Sequence, residues 1–453
     1  MTYIRILHQA RVLGADSDGT ISQSTELFLS TRLKIPSLPL DFKSGRTSVL
    51  GSTALGAVFV RFLLGKPEVQ DSDALRTAID QALALGRTST LRGHEMGVDE
   101  VLYGRTGLLW ALLQIDKADG EGQTRWEDDE SLSTKKSILD ISRVGIPKLC
   151  GVITQAGRDG ATDFVKQHGS EDAMPLMWSW IDTFYSLGLM HGITGVLSVL
   201  LSNNLTRFHP KLLDEHGKEI AGTITGLCNI AMKSNGHLPM AVPRWPSEKA
   251  RESSLVQICH GAPGLLILLA IAGLNEPFAR RFYEPLWVEA LHVASRKVWE
   301  QGILSKGGGL CHGIAGNAWA LLMLHDTFEH ALIPMECIGA CREGVKKDLV
   351  KCGRLSGDWF LEMALAMLLE CRNTRPFGDS EKYRLPDNPY SLFEGLAGTV
   401  CAWAEAALAI KAKLRKMEFE EKGIMSPSST KAKEDLEILE ARLGFPGIAV
   451  SIV

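Results

Sequence analysis

Leu310-Cys311-His312-Gly313-Ile314-Ala315-Gly316-Asn317 carries most of the fold information in this chain. A Cys-His pair stands directly before a Gly-x-x-Gly turn, and the turn runs into Ala318-Trp319-Ala320-Leu321-Leu322. The same order occurs at Ile258-Cys259-His260-Gly261-Ala262-Pro263-Gly264, ahead of Leu265 to Ala272. Stretches apolar all round are helices enclosed by other helices. The turn recurs without the Cys-His pair at Gly104–Gly107, Gly192–Gly195 and Gly395–Gly398, and in a looser form at Thr53-Ala54-Leu55-Gly56. Amphipathic stretches such as 73–85 and 285–299 lie between. The unit is an outer amphipathic helix, a glycine turn and an inner apolar helix, and such repetition has to be read as one object.

The last glycines of successive turns are 51, 88, 69, 52 and 82 residues apart. A unit of about 50 residues with insertions fits these intervals. The polar stretches 122–136, 157–174 and 423–434 are predicted loops, and 359–369 a unit without the motif. Strand signals are sparse, so the predicted class is all-α. Residues 1–45 read as an irregular N-terminal segment, a candidate truncated first repeat, and 46–453 as a single domain.

The chain has 453 residues, 45% of them hydrophobic, enough for a large core. A formal net charge of -4 leaves no basic footprint for nucleic acid. Residues 1–14 show no signal-peptide core, and apolar runs such as 265–272 are too short to span a bilayer. Nine cysteines, an odd number, sit mostly in apolar helical patterns. This argues for buried, reduced thiols and a cytoplasmic location.

Cys and His are ligands suited to a borderline-soft metal such as zinc, and three of them leave a fourth position open, as in catalytic rather than structural sites. A thiol bound there loses its proton. The 52 residues separating Cys259 from Cys311 are not a short-range zinc spacing, so spacing alone does not distinguish ligands from buried thiols. Glycine at the turns serves close packing first, and secondarily offers helix-start amides to an anionic group. If the inner helices all start at one end of a ring, then Tyr103, His191, Cys259, His260, Cys311, His312 and Glu394 share one mouth.

Five motifs in order resemble the eukaryotic lanthionine synthetase C-like family, relatives of the bacterial lantibiotic cyclases. They are Leu102-Tyr103-Gly104-Arg105-Thr106-Gly107; Pro175-Leu176-Met177 before His191-Gly192; Cys259 to Gly264; Leu304 to Gly313; and Pro386 to Gly398. The resemblance implies an α/α toroid of about six to seven helical hairpins with zinc at one mouth. It implies thioether formation, with glutathione as co-substrate adding to dehydroalanine or dehydrobutyrine residues in proteins or peptides. Cys259, Cys311 and His312 match the zinc ligands, and His191 an acid/base histidine. Glu100 falls near the position of a bacterial aspartate that would assist proton transfer. Lys306 and Arg384 match basic residues for glutathione, whose carboxylates suit such partners. Tyr103, Arg105, His260 and Glu394 are pocket-lining candidates. Ile258 and Gly308 stand where the family usually carries Trp and an aromatic, and the first motif-bearing helix pair of a seven-pair ring is not visible before Thr53. A lanthionine-forming peptide cyclase and a non-catalytic zinc- or glutathione-binding scaffold are the alternative functions. Glycan hydrolysis on a related toroid needs two facing carboxylates, and no such pair stands out among the turns.

Overall fold

The structure is a computed structural model and describes residues 9–32, 45–120, 129–202, 205–246, 254–341, 343, 346, 355–421, 442 and 444–448. Its helices are α1 (Thr20–Arg32), α2 (Thr53–Leu63), α3 (Val69–Ala84), α4 (Arg105–Gly120), α5 (Asp129–His168), α6 (Ile193–Leu200), α7 (Leu205–Phe208), α8 (Leu212–Lys233), α9 (Ala262–Leu274), α10 (Glu276–Phe282), α11 (Pro285–Gln301), α12 (Ile314–His330), α13 (Leu332–Ile338), α14 (Gly357–Glu370) and α15 (Leu396–Glu421). Two short antiparallel ladders join them: β1 (Thr88–Leu91) with β2 (His94–Gly97), and β3 (Tyr185–Ser186) with β4 (Ala241–Val242).

The apolar helices form the inner layer of an α/α toroid. Helix α9 is buried at every position from Ala262 to Gly273, packs between α6 and α12, and carries α11 on its outer side. Helix α12 packs between α9 and α15 and carries α14, while α4 touches α2 and α6 and carries α5. Each inner helix starts at its turn: Ser52 Oγ caps α2 by accepting the Leu55 amide at 3.4 Å, and Gly192 and Gly313 occupy the N-caps of α6 and α12. Among the described residues no single helix is long and apolar enough to cross a membrane; the bent pair α9–α10 passes on length and composition, but α9 is core.

A chain of backbone hydrogen bonds runs round the mouth. The Thr47 and Ser48 amides donate to Tyr103 O at 2.8 and 2.9 Å, Leu102 N to Met190 O at 3.3 Å and Leu189 N to Ile258 O at 3.2 Å. Cys259 N then donates to Cys311 O at 3.1 Å and Cys311 N to Phe393 O at 2.7 Å. Each turn is thus positioned by the next, and the residues before the glycines meet at one end.

The turns must come this close because their glycines have no Cβ. At Gly195 a Cβ would overlap the carbonyl of Leu189, which is backbone and cannot swing aside. Gly195→Ala is expected to cost roughly 1–3 kcal/mol by overpacking. Gly151→Ala, in α5 with nothing within 4 Å of the added methyl, should instead gain about 0.5–1 kcal/mol. Urea midpoints of the two variants measure the contrast.

Described residues near both ends of the chain reach the inner helices. Gln9 Nε2 donates to Glu405 Oε1 at 2.6 Å, and Lys411 donates to Val12 O. Arg442 is buried and ion-pairs with Asp326 of α12 and with Glu405 of α15, the latter at 3.2 Å. Phe445 meets Trp319 edge-on at 5.5 Å, and a Cβ on Gly447 would lie 2.8 Å from Leu50 Cδ1. The last described residues therefore bridge α12 and α15 to the start of the ring.

Four expectations change. The stretch 157–174, expected as a loop, is helical to His168, because glycines there let a neighbouring segment lie on the helix: Met177 N donates to Gly157 O at 2.9 Å, and a Cβ on Gly160 would strike Met177 O. Residues 129–136 of the expected loop 122–136 also belong to α5. The segment 1–45, expected to be irregular, contains α1, whose first turn is organised by Asp16 accepting the Ile21 and Ser22 amides at 2.9 and 3.2 Å. The stretch 359–369 lies in α14, an outer helix packed on α12 through Phe360 and Phe328, and not in a further inner unit. The expected loop 423–434 lies outside the described residues.

Candidate functional site

Cys259, Cys311 and His312 bring their ligand atoms within 4.8 Å of one another, with Cys259 buried and the other two half-buried. The Cys259-to-Cys311 backbone bond fixes the two thiols side by side. The thiols titrate as a pair. Cys259 is held below the usual thiol range, first by its hydrogen bond from Cys311, against burial, with the Lys306 charge and the Gln257 amide (3.2 Å) adding to the effect. Cys311 is pushed up, by that bond and by burial. Two thiols and an imidazole converging at this separation fit a tetrahedral zinc with one position left open. His260 is outside the triple.

His191 and Glu100 are joined by a hydrogen bond between Nδ1 and Oε2. A carboxylate only accepts, so Nδ1 carries the proton and Nε2 is the nitrogen left for a substrate. Glu100 is itself held by the Tyr103 amide, which donates to Oε1 at 3.0 Å. Burial pulls the His191 pKa down, but the Glu100 charge and hydrogen bond, with the Cys311 sulfur, outweigh it, and the net shift is upward.

Lys306 and Arg384 are both exposed and come from segments that touch, since Arg384 N donates to Ser305 O at 2.8 Å. Tyr103 lies 6.1 Å from the His191 ring and under the Arg46 guanidinium at 4.5 Å. Glu394 accepts from Asn388 Nδ2 at 2.6 Å. Arg105 is a correction: it is buried against Asp99, with Nε donating at 2.7 Å, and its guanidinium reaches the Leu85 and Gly86 carbonyls. Its role is to brace the turn from behind, and it lines no pocket.

The sequence reading did not single out Arg46, Trp180, Phe184 or Trp245, because no motif marks them. Trp180 stacks on His191 at 5.5 Å and tilts against His260 at 5.3 Å. Trp245 lies 5.7 Å from Trp180 and 4.3 Å from Phe184. A second ligand-sized group, His209, Glu215 and His216, was also unforeseen. There the Arg158 guanidinium donates to His216 Nδ1 at 2.6 Å, which leaves the His216 proton on the nitrogen a metal would need. That cluster is an ion-pair network centred on Arg158 and Glu219.

Fold and site together define a class: an α/α toroid whose glycine turns gather two cysteines and a histidine at one mouth. The chain belongs to the lanthionine synthetase C-like protein family, whose profile matches residues 55–359. It is 26% identical over 325 residues to glutathione S-transferase LANCL1 of Danio rerio, an alignment covering 72% of this chain and 63% of that protein. It is 30% identical over 317 residues to LanC-like protein GCL1 of Arabidopsis thaliana, covering 69% of this chain and 56% of that protein. The chain thus spans about six tenths of the length of these relatives.

Proposed function

We propose that this protein adds the thiol of glutathione across the double bond of dehydroalanine or dehydrobutyrine residues in proteins or peptides, using zinc held by Cys259, Cys311 and His312. The observation that carries the proposal is the hydrogen-bonded His191–Glu100 pair at the same mouth as the Cys-Cys-His triple, close enough for Cys311 to act on His191 electrostatically. A passive scaffold needs no such proton-handling pair. The name of the Danio rerio relative supports glutathione as the thiol.

Zinc, when bound, supplies the positive charge that keeps a thiol deprotonated, and the thiolate is the nucleophile. Lys306 and Arg384, on segments joined by the Arg384 N–Ser305 O hydrogen bond, are the residues we assign to the glutathione carboxylates. Sulfur attacks the β-carbon and the π electrons move to an enolate. His191, protonated because Glu100 favours the imidazolium, delivers its Nε2 proton to the α-carbon. The proton released by the incoming thiol restores it, so RS–H adds across the bond with nothing oxidised.

The direct test is incubation of the purified protein with glutathione and a dehydroalanine peptide, followed by mass analysis. The expected product is the peptide plus one intact glutathione. Glutathione retained on the protein without adduct at any zinc loading would favour the scaffold instead.

The pH dependence is a second test. The raised His191 pKa keeps the imidazolium populated above pH ~6.5, and activity falls as pH rises through the raised value. Glu100→Gln removes the charge that opposes burial, so the alkaline limb of kcat should move to lower pH at equal zinc loading. An unmoved limb would detach Glu100 from the proton step. The stability linkage has the same sign: the stabilisation from the charged pair is complete below the unfolded pKa and is lost as pH rises through the folded one.

A further inference from the structure

The aromatic side chains beside His191 form a continuous strip. Its inner end is Trp180, stacked on His191 at 5.5 Å and 5.3 Å from His260. From Trp180 it continues to Trp245 at 5.7 Å and from there to Phe184 at 4.3 Å. All three residues are half-buried, each keeping part of its surface open to solvent.

The backbone makes the strip rigid. Phe184 immediately precedes β3 and Trp245 follows β4 by three residues, so the ladder pairing Tyr185 with Val242 and Ser186 with Ala241 holds the two segments that carry them side by side. Leu187 N extends that ladder to Met240 O at 3.1 Å. Trp180 is tied down on both sides: its amide donates to Phe184 O at 2.8 Å, and its carbonyl accepts from Gly97 N at 2.9 Å. A Cβ on Gly97 would overlap Ser179 O, so β2 and the Trp180 loop meet only because that position is glycine.

We infer that Trp180, Trp245 and Phe184 form a subsite for an aromatic or large apolar side chain of the substrate, beside the dehydroamino acid. The inference deepens the proposed function and rests on it for the position of the reacting residue at His191. The occupant follows from continuity and chemistry. The strip begins at the proton donor, so whatever lies along it is joined to the reacting residue. The ring faces are uncharged and rigid, and such aromatic platforms concentrate binding energy. The charged thiol donor has its own partners in Lys306 and Arg384, so the strip serves the other substrate. Reach sets the register: the steps of 5.5 and 5.7 Å from His191 to Trp245 are covered by about three extended residues at ~3.3–3.6 Å each. The favoured side chain stands one to three positions from the dehydro residue.

Binding of unreactive peptides tests this without any turnover. Labelled peptides carry alanine in place of the dehydro residue and either Phe or Gly at the flanking positions, and fluorescence anisotropy measures their affinity for the zinc-loaded protein. The Phe peptide should bind about tenfold more tightly than the Gly peptide. Trp245→Ala should reduce the preference to about twofold or less, and Trp245→Phe should restore most of it. Glutathione binding by titration calorimetry, measured on each variant, reports that the mouth is still folded. Equal affinities for the two peptides, no measurable binding of the Phe peptide, or an undiminished preference in folded Trp245→Ala would each overturn the subsite. The two readings fail separately. Adduct without flanking preference leaves the reaction standing and removes the strip, whereas Phe preference without adduct does the reverse.

Discussion

Cys311→Ala is expected to empty the mouth of zinc while leaving the helices in place. Cys311 shares the ligand-sized triple with Cys259 and His312, and its backbone is the link between two turns, which alanine preserves. Losing even a hydrogen-bond partner of a ligand costs ~10–100-fold in metal affinity, so losing a ligand should cost at least ~100-fold. Zinc measured after dialysis should fall from about one ion per chain to a small fraction of that, and glutathione addition should fall with it. Helical circular dichroism should be unchanged, because the core is apolar and the site sits at its rim. Undiminished zinc in this variant would mean that the ligands are wrongly assigned.

Arg442→Ala is expected to destabilise the fold strongly without touching the mouth. The guanidinium is buried between Asp326 and Glu405, and both carboxylates are also buried. Removing the cation leaves two negative charges out of reach of water, which costs about 3–5 kcal/mol for a broken buried pair. The urea midpoint should drop accordingly. Replacing all three residues by apolar side chains of similar size should recover most of the loss, because no uncompensated charge remains. A loss below about 1 kcal/mol in the single variant would show that the bridge from the last residues to α12 and α15 contributes little.

The inner helices were legible from composition alone. A stretch such as Leu265 to Ala272 has no face that water can accept, so it must be enclosed wherever the chain goes. The glycine turns were legible by their recurrence, and the packing reason for them is visible at Gly195. The loop reading of 157–174 went wrong because polar residues and glycines in sequence do not reveal that a helix is being packed by another segment. Gly157 and Gly160 weaken a helix in isolation, and the contact with Met177 decides for it. The helix at Thr20–Arg32 was missed because its apolar spacing is weak and its start depends on Asp16, whose capping role is a matter of geometry.

The candidate site divides along the same line. His191 and His312 stand directly before recurrent glycines with Cys259 and Cys311 two residues ahead of theirs, Lys306 lies in a stretch that carries the family resemblance, and Arg384 lies two residues before another. Trp180, Phe184, Trp245 and Arg46 carry no such mark. They matter only because β3 pairs with β4, Gly97 admits the Trp180 loop and Thr47 binds Tyr103 O.

By itself, then, the sequence determined an all-α repeat with an apolar inner layer, glycine turns, and two Cys-His pairs ahead of those turns whose residue types suit a metal such as zinc. Those features are properties of individual segments: solvent rejection, Cβ absence and ligand chemistry act locally. The tertiary structure alone decided that His191 meets Glu100, that Arg105 turns inward to Asp99, that Arg442 bridges two inner helices, and that Trp180, Trp245 and Phe184 form a strip of rings beside His191 and His260. All but the Arg105–Asp99 contact join positions far apart in the chain, and no pattern within one segment brings those positions together.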